Sequence, residues 1–213
     1  TPIKSSAASD VYKRQVLNKP SEDYGASTNA SVLGRVTYDY QNKYLATVNF
    51  RADGSSKFGV NNRWGYFPSF SLGWRLTGEE FMKPLDWLSD LKLRVGWGQV
   101  GNDQVGYYSS YGIYGIGANY NMDGVILPGY YQSQIGNDKL RWERTTQTNV
   151  GLDFSFLNGR MTLTADAYYK KTTDLLLMVK LPQTSGFDSG MQNVGSVVNK
   201  GSVSYTHLTL PTT

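Results

Sequence analysis

Gly96, Gly98 and Gly101 stand at the spacing G-x-G-x-x-G inside the stretch LKLRVGWGQVG. After a strand-like run, that spacing is the fingerprint of a loop that cradles a dinucleotide pyrophosphate, so the chemistry to test first is cofactor binding at a helix N-terminus. The helix is missing from the pattern. NDQVGYYSSYGIYGIGANYNMDG follows, rich in Gly and Tyr and without a 3.6-residue period. The run before the glycines carries Lys92 and Arg94 on one face, unlike the fully buried strand of a doubly wound sheet. The glycines therefore read as strand features. Gly96 and Gly98 lie on the polar face, where they leave space or permit bends, and Gly101 begins a loop.

Other reactive side chains are sparse. There is no cysteine and one histidine, His207. That excludes thiolate metal sites and multi-histidine zinc sites and argues against a histidine-based triad. Glu79-Glu80 and Glu143 do not combine into a glycosidase pair. NMDG and FDSG hold one carboxylate each, which suits turns rather than calcium. Arg141, Glu143 and Arg144 alternate in charge, as a solvated rim does. No catalytic residue, metal ligand or cofactor is assigned. The net charge of +4 comes without a basic run, so nucleic acid is not an expected partner. The chemistry left is recognition. Tyr107, Tyr108, Tyr111, Tyr114, Tyr120, Tyr130 and Tyr131 sit among Gly and Asn in one long connector. Rigid amphipathic rings with amide hydrogen bonders suit a sugar or peptide, a protein partner, or packing of the loop on itself.

What positions these residues is a set of strands. Tyr, Gly, Thr and Asn are abundant, with 16 Tyr and 23 Gly in 213 residues, and this favours strands and turns over helices. SVLGRVTYDY, YLATVNFR, SFSLGWRL, LKLRVGWG, NVGLDFSF and MTLTADAYYK all alternate with a period of two. One face collects Val48, Phe50, Leu72, Trp74, Leu93, Val95, Leu152, Phe154 and Leu163. The other carries Arg51, Arg75, Arg94, Asp153 and Asp166, which must meet water.

The connectors run tight, long, medium, long, tight, long. Gln41–Lys43 and Asn158–Arg160 are tight. Residues 52–64, 99–141 and 181–193 are long, and the medium connector holds EEFMKPLDWLSD, with room for one helical turn. No apolar run approaches the roughly 20 residues of a membrane helix. Periodicity alone fits a soluble β-sandwich as well as a membrane barrel. The loop asymmetry favours an antiparallel meander of an outer-membrane barrel, with aromatics such as Tyr38, Tyr40, Tyr44, Trp64, Tyr66, Phe67, Trp74, Trp87, Trp97 and Trp142 at its interfaces. Leu175–Met178 reads as a strand through the apolar band or toward the outer rim.

Specific stretches carry a resemblance. SVLGRVTYDYQNKYLATVNFRADGSSKFGVNNRWGYFPSFSLGWRL, LSDLKLRVGWGQVGN, LRWERTTQTNVGLDFSFLNGRMTLTADAYYKKTTDLLL, LPQTSG and NVGSVVNKG together resemble the SusC/RagA family of TonB-dependent outer-membrane transporters, in the family's order. The resemblance implies an all-β fold: an antiparallel meander forming part of a 22-stranded transmembrane barrel, incomplete here. For the whole protein it implies an N-terminal plug, a SusD-like lipoprotein lid, energy through TonB, and import of an oligosaccharide or peptide across the outer membrane of a Bacteroidetes-like Gram-negative cell. On this reading the apolar residues above face outer-membrane lipid. The charged ones face the lumen and the plug, and the loop tyrosines contact substrate or lid.

Residues 16–202 are the expected barrel segment. SAASDVYKRQ and VSYTHLTLPTT do not continue the family pattern, so residues 1–15 and 203–213 are set aside as non-native, adapter-like tails, although alternation would permit a strand at SVSYTHLTL. The alternatives are a secreted soluble carbohydrate-binding β-sandwich and a passive porin.

Overall fold

A computed structural model describes residues 25–209, apart from residue 86. The alternating segments become strands β1 (Asn29–Tyr40), β2 (Tyr44–Ser55), β3 (Trp64–Arg75) and β4 (Leu88–Asn102). The long connector after β4 holds four short strands, β5 (Ile113–Ile116), β6 (Tyr120–Met122), β7 (Val125–Leu127) and β8 (Tyr130–Gln134). The wall resumes with β9 (Glu143–Phe156) and β10 (Met161–Thr173). A hairpin of β11 (Leu176–Lys180) and β12 (Ser189–Asn193) precedes β13 (Ser196–Leu208). Seven of these form one antiparallel sheet in the order β1-β2-β3-β4-β9-β10-β13, an open all-β meander with β1 and β13 at its edges.

Register carries the alternation intact from strand to strand. Val48 pairs with Phe70, Leu72 with Val95, Leu93 with Leu152, and Phe154 with Leu163. A one-residue slip anywhere would exchange the faces. The apolar face stays open rather than sealed by a second layer: Val48 is 55% exposed, Leu72 52% and Leu152 38%. That openness removes the sandwich alternative for the described residues, because a sandwich dries this face. In β13 the alternation reverses. Ser202, Ser204 and Thr206 pair with Ala167, Ala165 and Leu163 on the apolar face, while Val203 and Tyr205 fall on the polar one.

Short turns gather at one end of the sheet. Gln41 and Asn42 are left-handed (φ 54° and 53°) between β1 and β2, a conformation that matches the twist of the flanking strands. Residues 157–160 turn between β9 and β10. The medium connector forms two short 3-10 turns, Leu76–Gly78 and Glu80–Met82. Glu79 fastens it to the wall. Its carboxylate accepts from the Tyr44 hydroxyl (2.6 Å) and the Trp74 indole (3.3 Å), with Lys43 3.7 Å away. The Tyr44 hydrogen bond, then that of Trp74, holds the Glu79 carboxyl below its ordinary value, and Lys43 adds to this. A group held down in the folded state stabilises above the unfolded pKa and loses that contribution as pH falls through the folded one. Acidification from about pH 4 downward is therefore expected to loosen this turn, and Glu79→Gln to remove the pH dependence. Hydrogen exchange of residues 76–82 in the intact barrel checks it.

The long connectors gather at the other end and build the only buried apolar cluster among the described residues. Phe58, Val105 and Leu140 are its centre, with Trp142, Leu176 and Met191 against it. The Leu175–Met178 run thus goes to the rim: Leu176 caps this cluster, and β11 pairs with β12 outside the wall.

Candidate functional site

On the polar face, β4, β9 and β10 place one cation against two anions. Arg94 meets Asp153 through two hydrogen bonds, 2.7 Å from Nε and 3.0 Å from one terminal nitrogen. The same terminal nitrogen lies 3.1 Å from Asp166, and the Thr164 hydroxyl donates to Asp153 at 3.2 Å. The group is about one-third exposed, so it is a screened, partly wetted network rather than a dry ion pair. Gly151 makes it possible. The Arg94 and Asp166 side chains cross directly over its α-carbon, where a β-carbon would stand. Arg75 lies 3.4 Å from Asp90, and Arg51 2.7 Å from Asp53. Arg51, Arg75, Arg94, Asp153 and Asp166 therefore all sit on this one face, and each has an oppositely charged partner. Each apolar one singled out sits on the opposite face.

The three fingerprint glycines serve the wall, not a nucleotide. β4 runs on to Asn102, and no helix follows it. The strand thus outlasts Gly101, which the sequence placed at the start of a loop. Above Gly96 the polar face is open, while Gly98 sits against Ser69 across the strand pair. Gly101 and Gly65 leave a slot for the Phe67 ring, which is 4% exposed. Trp142 closes that slot, 5.6 Å from Phe67 and 5.3 Å from Phe58, and its indole donates to the Arg63 carbonyl at 3.0 Å. Phe67 and Trp142 are therefore not interfacial girdle residues as the sequence suggested. They pack on the polar side, under the connectors, and close one end of a groove of about 470 Å³ that Arg35, Asn49, Arg51 and Gln99 also line.

At the rim, Arg141 binds Asp174 at 2.7 Å, and Glu143 accepts from the Leu176 amide at 3.2 Å. The loop tyrosines divide. Tyr107, Tyr108 and Tyr111 come together around a cavity of about 370 Å³ with Lys57 and Arg63. Tyr114, Tyr130 and Tyr131 lie on the β5–β8 hairpin and Tyr120 on the β6–β7 hairpin, all exposed. Asn121 accepts from the Gly124 amide at 2.9 Å, so NMDG is a turn. Sequence reasoning missed Lys57 and Arg63. Both lie in a connector that alternation cannot read, and the signal was two cations beside aromatics in KFGVNNRW.

The geometry can bind and guide a polar solute along a wetted face. Among the described residues no three His, Cys, Asp or Glu side chains gather in a metal-sized cluster. Comparison with known proteins agrees with the wall geometry. The family model described as TonB dependent receptor-like, beta-barrel matches residues 4–202, beginning inside the N-terminal stretch set aside above. The TonB-dependent receptor SusC of Bacteroides thetaiotaomicron is 44% identical over 183 residues, 82% of this chain and 18% of that protein. The TonB-dependent receptor P39 of Formosa agariphila is 41% identical over 189 residues, 89% and 18%. The RagAB peptide transporter structure superposes with a TM-score of 0.77 at 33% identity, over 87% of this chain and 20% of that one. The siderophore receptor PirA of Acinetobacter baumannii shares the fold alone, with a TM-score of 0.57 at 13% identity. The chain spans about a fifth of the length of the curated relatives it matches.

Proposed function

The chain belongs to the TonB dependent receptor-like β-barrel family of the Gram-negative outer membrane, and on that premise we propose that it is a wall segment of a transporter importing a glycan or peptide with TonB-coupled energy. The observation that carries this reading is the two-faced sheet, with an open apolar side that runs from β1 to β10 and a charged side where Arg94 pairs with Asp153 and Asp166. In a bilayer the apolar side meets hydrocarbon without cost, and the charged side lines a wetted interior. Val48, Phe50, Leu72, Trp74, Leu93, Val95, Leu152, Phe154 and Leu163 face lipid on this assignment. Arg51, Arg75, Arg94, Asp153 and Asp166 face the lumen and a plug.

The long connectors lie outside the cell and the short turns in the periplasm. The tyrosine-bearing connectors meet the substrate or a SusD-like lipoprotein lid. Residues 16–202 form the barrel segment. The end of the family match at residue 202 supports a boundary before 203, whereas residues 1–24 lie outside the described residues.

The test uses the full-length receptor that carries this chain. It is expected in the outer-membrane fraction, and its uptake of a glycan or peptide is expected to stop when TonB is deleted. Uptake that persists without TonB supports the passive porin, and recovery from the medium without detergent supports a secreted binding domain.

A further inference from the structure

Among the described residues, the apolar face of the seven-stranded sheet carries three charged side chains, and all three are positive: Arg144 in β9, Lys171 in β10 and Lys200 in β13. Register sets them on that face. Arg144 is in step with Leu152 and Phe154, Lys171 is in step with Leu163, and Lys200 lies directly opposite Tyr169. Lys171 pairs with Thr146 on one side and Val198 on the other, so each cation stands one strand and two residues from the next. Such a diagonal step is about 7–8 Å. All three are exposed, and all lie in the half of their strands nearest the long connectors. The short-turn half of the same strands shows Phe154, Phe156, Met161 and Leu163 instead. The acids nearby are turned away or occupied. Glu143, beside Arg144, falls on the polar face and accepts from Asn102 and from the Leu176 amide. Asp174 binds Arg141 at 2.7 Å. None of the three cations makes an ion pair among the described residues. A rim that met only water would mix signs, as the polar face does with Arg51 and Asp53 or Arg94 and Asp153.

We propose that Arg144, Lys171 and Lys200 form a binding site for the phosphate-bearing headgroup of an outer-leaflet glycolipid. The site rests on the transporter reading, which turns this face to the membrane and its connector end outward. A cation on a lipid-facing strand is costly at mid-depth and cheap near the interface, and these three stand at the interface end alone. Their long stems can lie along the apolar wall while the charged heads rise to the headgroup layer. A phosphate monoester brings about −1.5 to −2 of charge and three acceptor oxygens, which suits several converging cations. Tyr169, directly opposite Lys200, and the Thr146 and Thr148 hydroxyls add a flat ring and hydrogen bonders for the sugar that carries the phosphate. An acidic protein would have to cross lipid to reach this face, which is why the occupant is a lipid.

The experiment titrates the purified full-length receptor in detergent with monophosphoryl lipid A and with the same lipid stripped of its phosphate, and counts bound lipid by native mass spectrometry. The phosphorylated lipid is expected to bind at least tenfold tighter. The triple variant Arg144→Gln, Lys171→Gln, Lys200→Gln should lose that preference and bind the phosphate-free lipid as before. Lys170→Gln removes the same charge one residue away on the opposite face and should change nothing. On the wild-type receptor the preference should shrink as salt is raised, a readout that needs no variant. Equimolar inorganic phosphate should not displace the lipid, whose chains hold it on the apolar face. The proposal is overturned by equal binding of the two lipids to the wild type, by a preference that survives the triple variant, by a loss that strikes both lipids alike, by an equal effect of Lys170→Gln and Lys171→Gln, or by displacement with inorganic phosphate. Energised uptake does not depend on a lipid phosphate being held at this face, so a failure here leaves the TonB-deletion test of the transporter reading standing.

Discussion

Arginine at Leu93 is expected to destabilise the full-length barrel by about 2–4 kcal/mol, while arginine at Lys92 changes it little. The two positions are neighbours in β4 and differ only in face. Leu93 pairs with Trp74 and Leu152, and Lys92 with Arg75 and Asp153. Leu93 lies five residues above the start of the strand. At about 3.3 Å per residue and a tilt of about 40°, that is roughly 13 Å, near the middle of an apolar band about 25 Å tall. A guanidinium there must leave water for hydrocarbon or distort the bilayer to reach it. At position 92 it replaces one cation by another on a wetted surface. Reversible denaturant unfolding from lipid vesicles gives both values. Equal costs at the two sites would show that the sheet does not divide lipid from lumen, and the face assignment would fail with it.

The faces were legible because strand alternation needs only near neighbours. Val48-Asn49-Phe50-Arg51 states its geometry within four residues, and the observed register repeats it across each pair of strands. The tight turns were partly local: Asn42, Asn158 and Gly159 are residue types that tolerate positive φ, whereas Gln41 and Leu157 are held there by the turns. What stayed hidden was built from separated segments. Phe58 and Leu140 meet from connectors far apart in the chain, and nothing near either one announces the other. The connector after β4 looked structureless because strands of three to five residues are too short to show a period.

Phe67→Ala is expected to cost about 3–5 kcal/mol, because it empties a ring site that is almost fully enclosed. Gly101→Ala should cost about 1–3 kcal/mol for the opposite reason, since the new methyl occupies the space where the Phe67 ring lies. The double variant separates this account from any intrinsic demand of the backbone. Gly101 is not among the residues with positive φ, so alanine there meets the ring and not a forbidden conformation. With the ring gone, the methyl has room, and Gly101→Ala in the Phe67→Ala background should be close to neutral. The two single costs would then fail to add by nearly the whole Gly101→Ala penalty, well beyond the few tenths of a kcal/mol expected of independent sites. Additive costs would mean that the third glycine of the fingerprint answers to something other than Phe67. Denaturant unfolding of the four full-length proteins in vesicles decides it, and it settles why a strand of this barrel wall carries the spacing of a nucleotide loop.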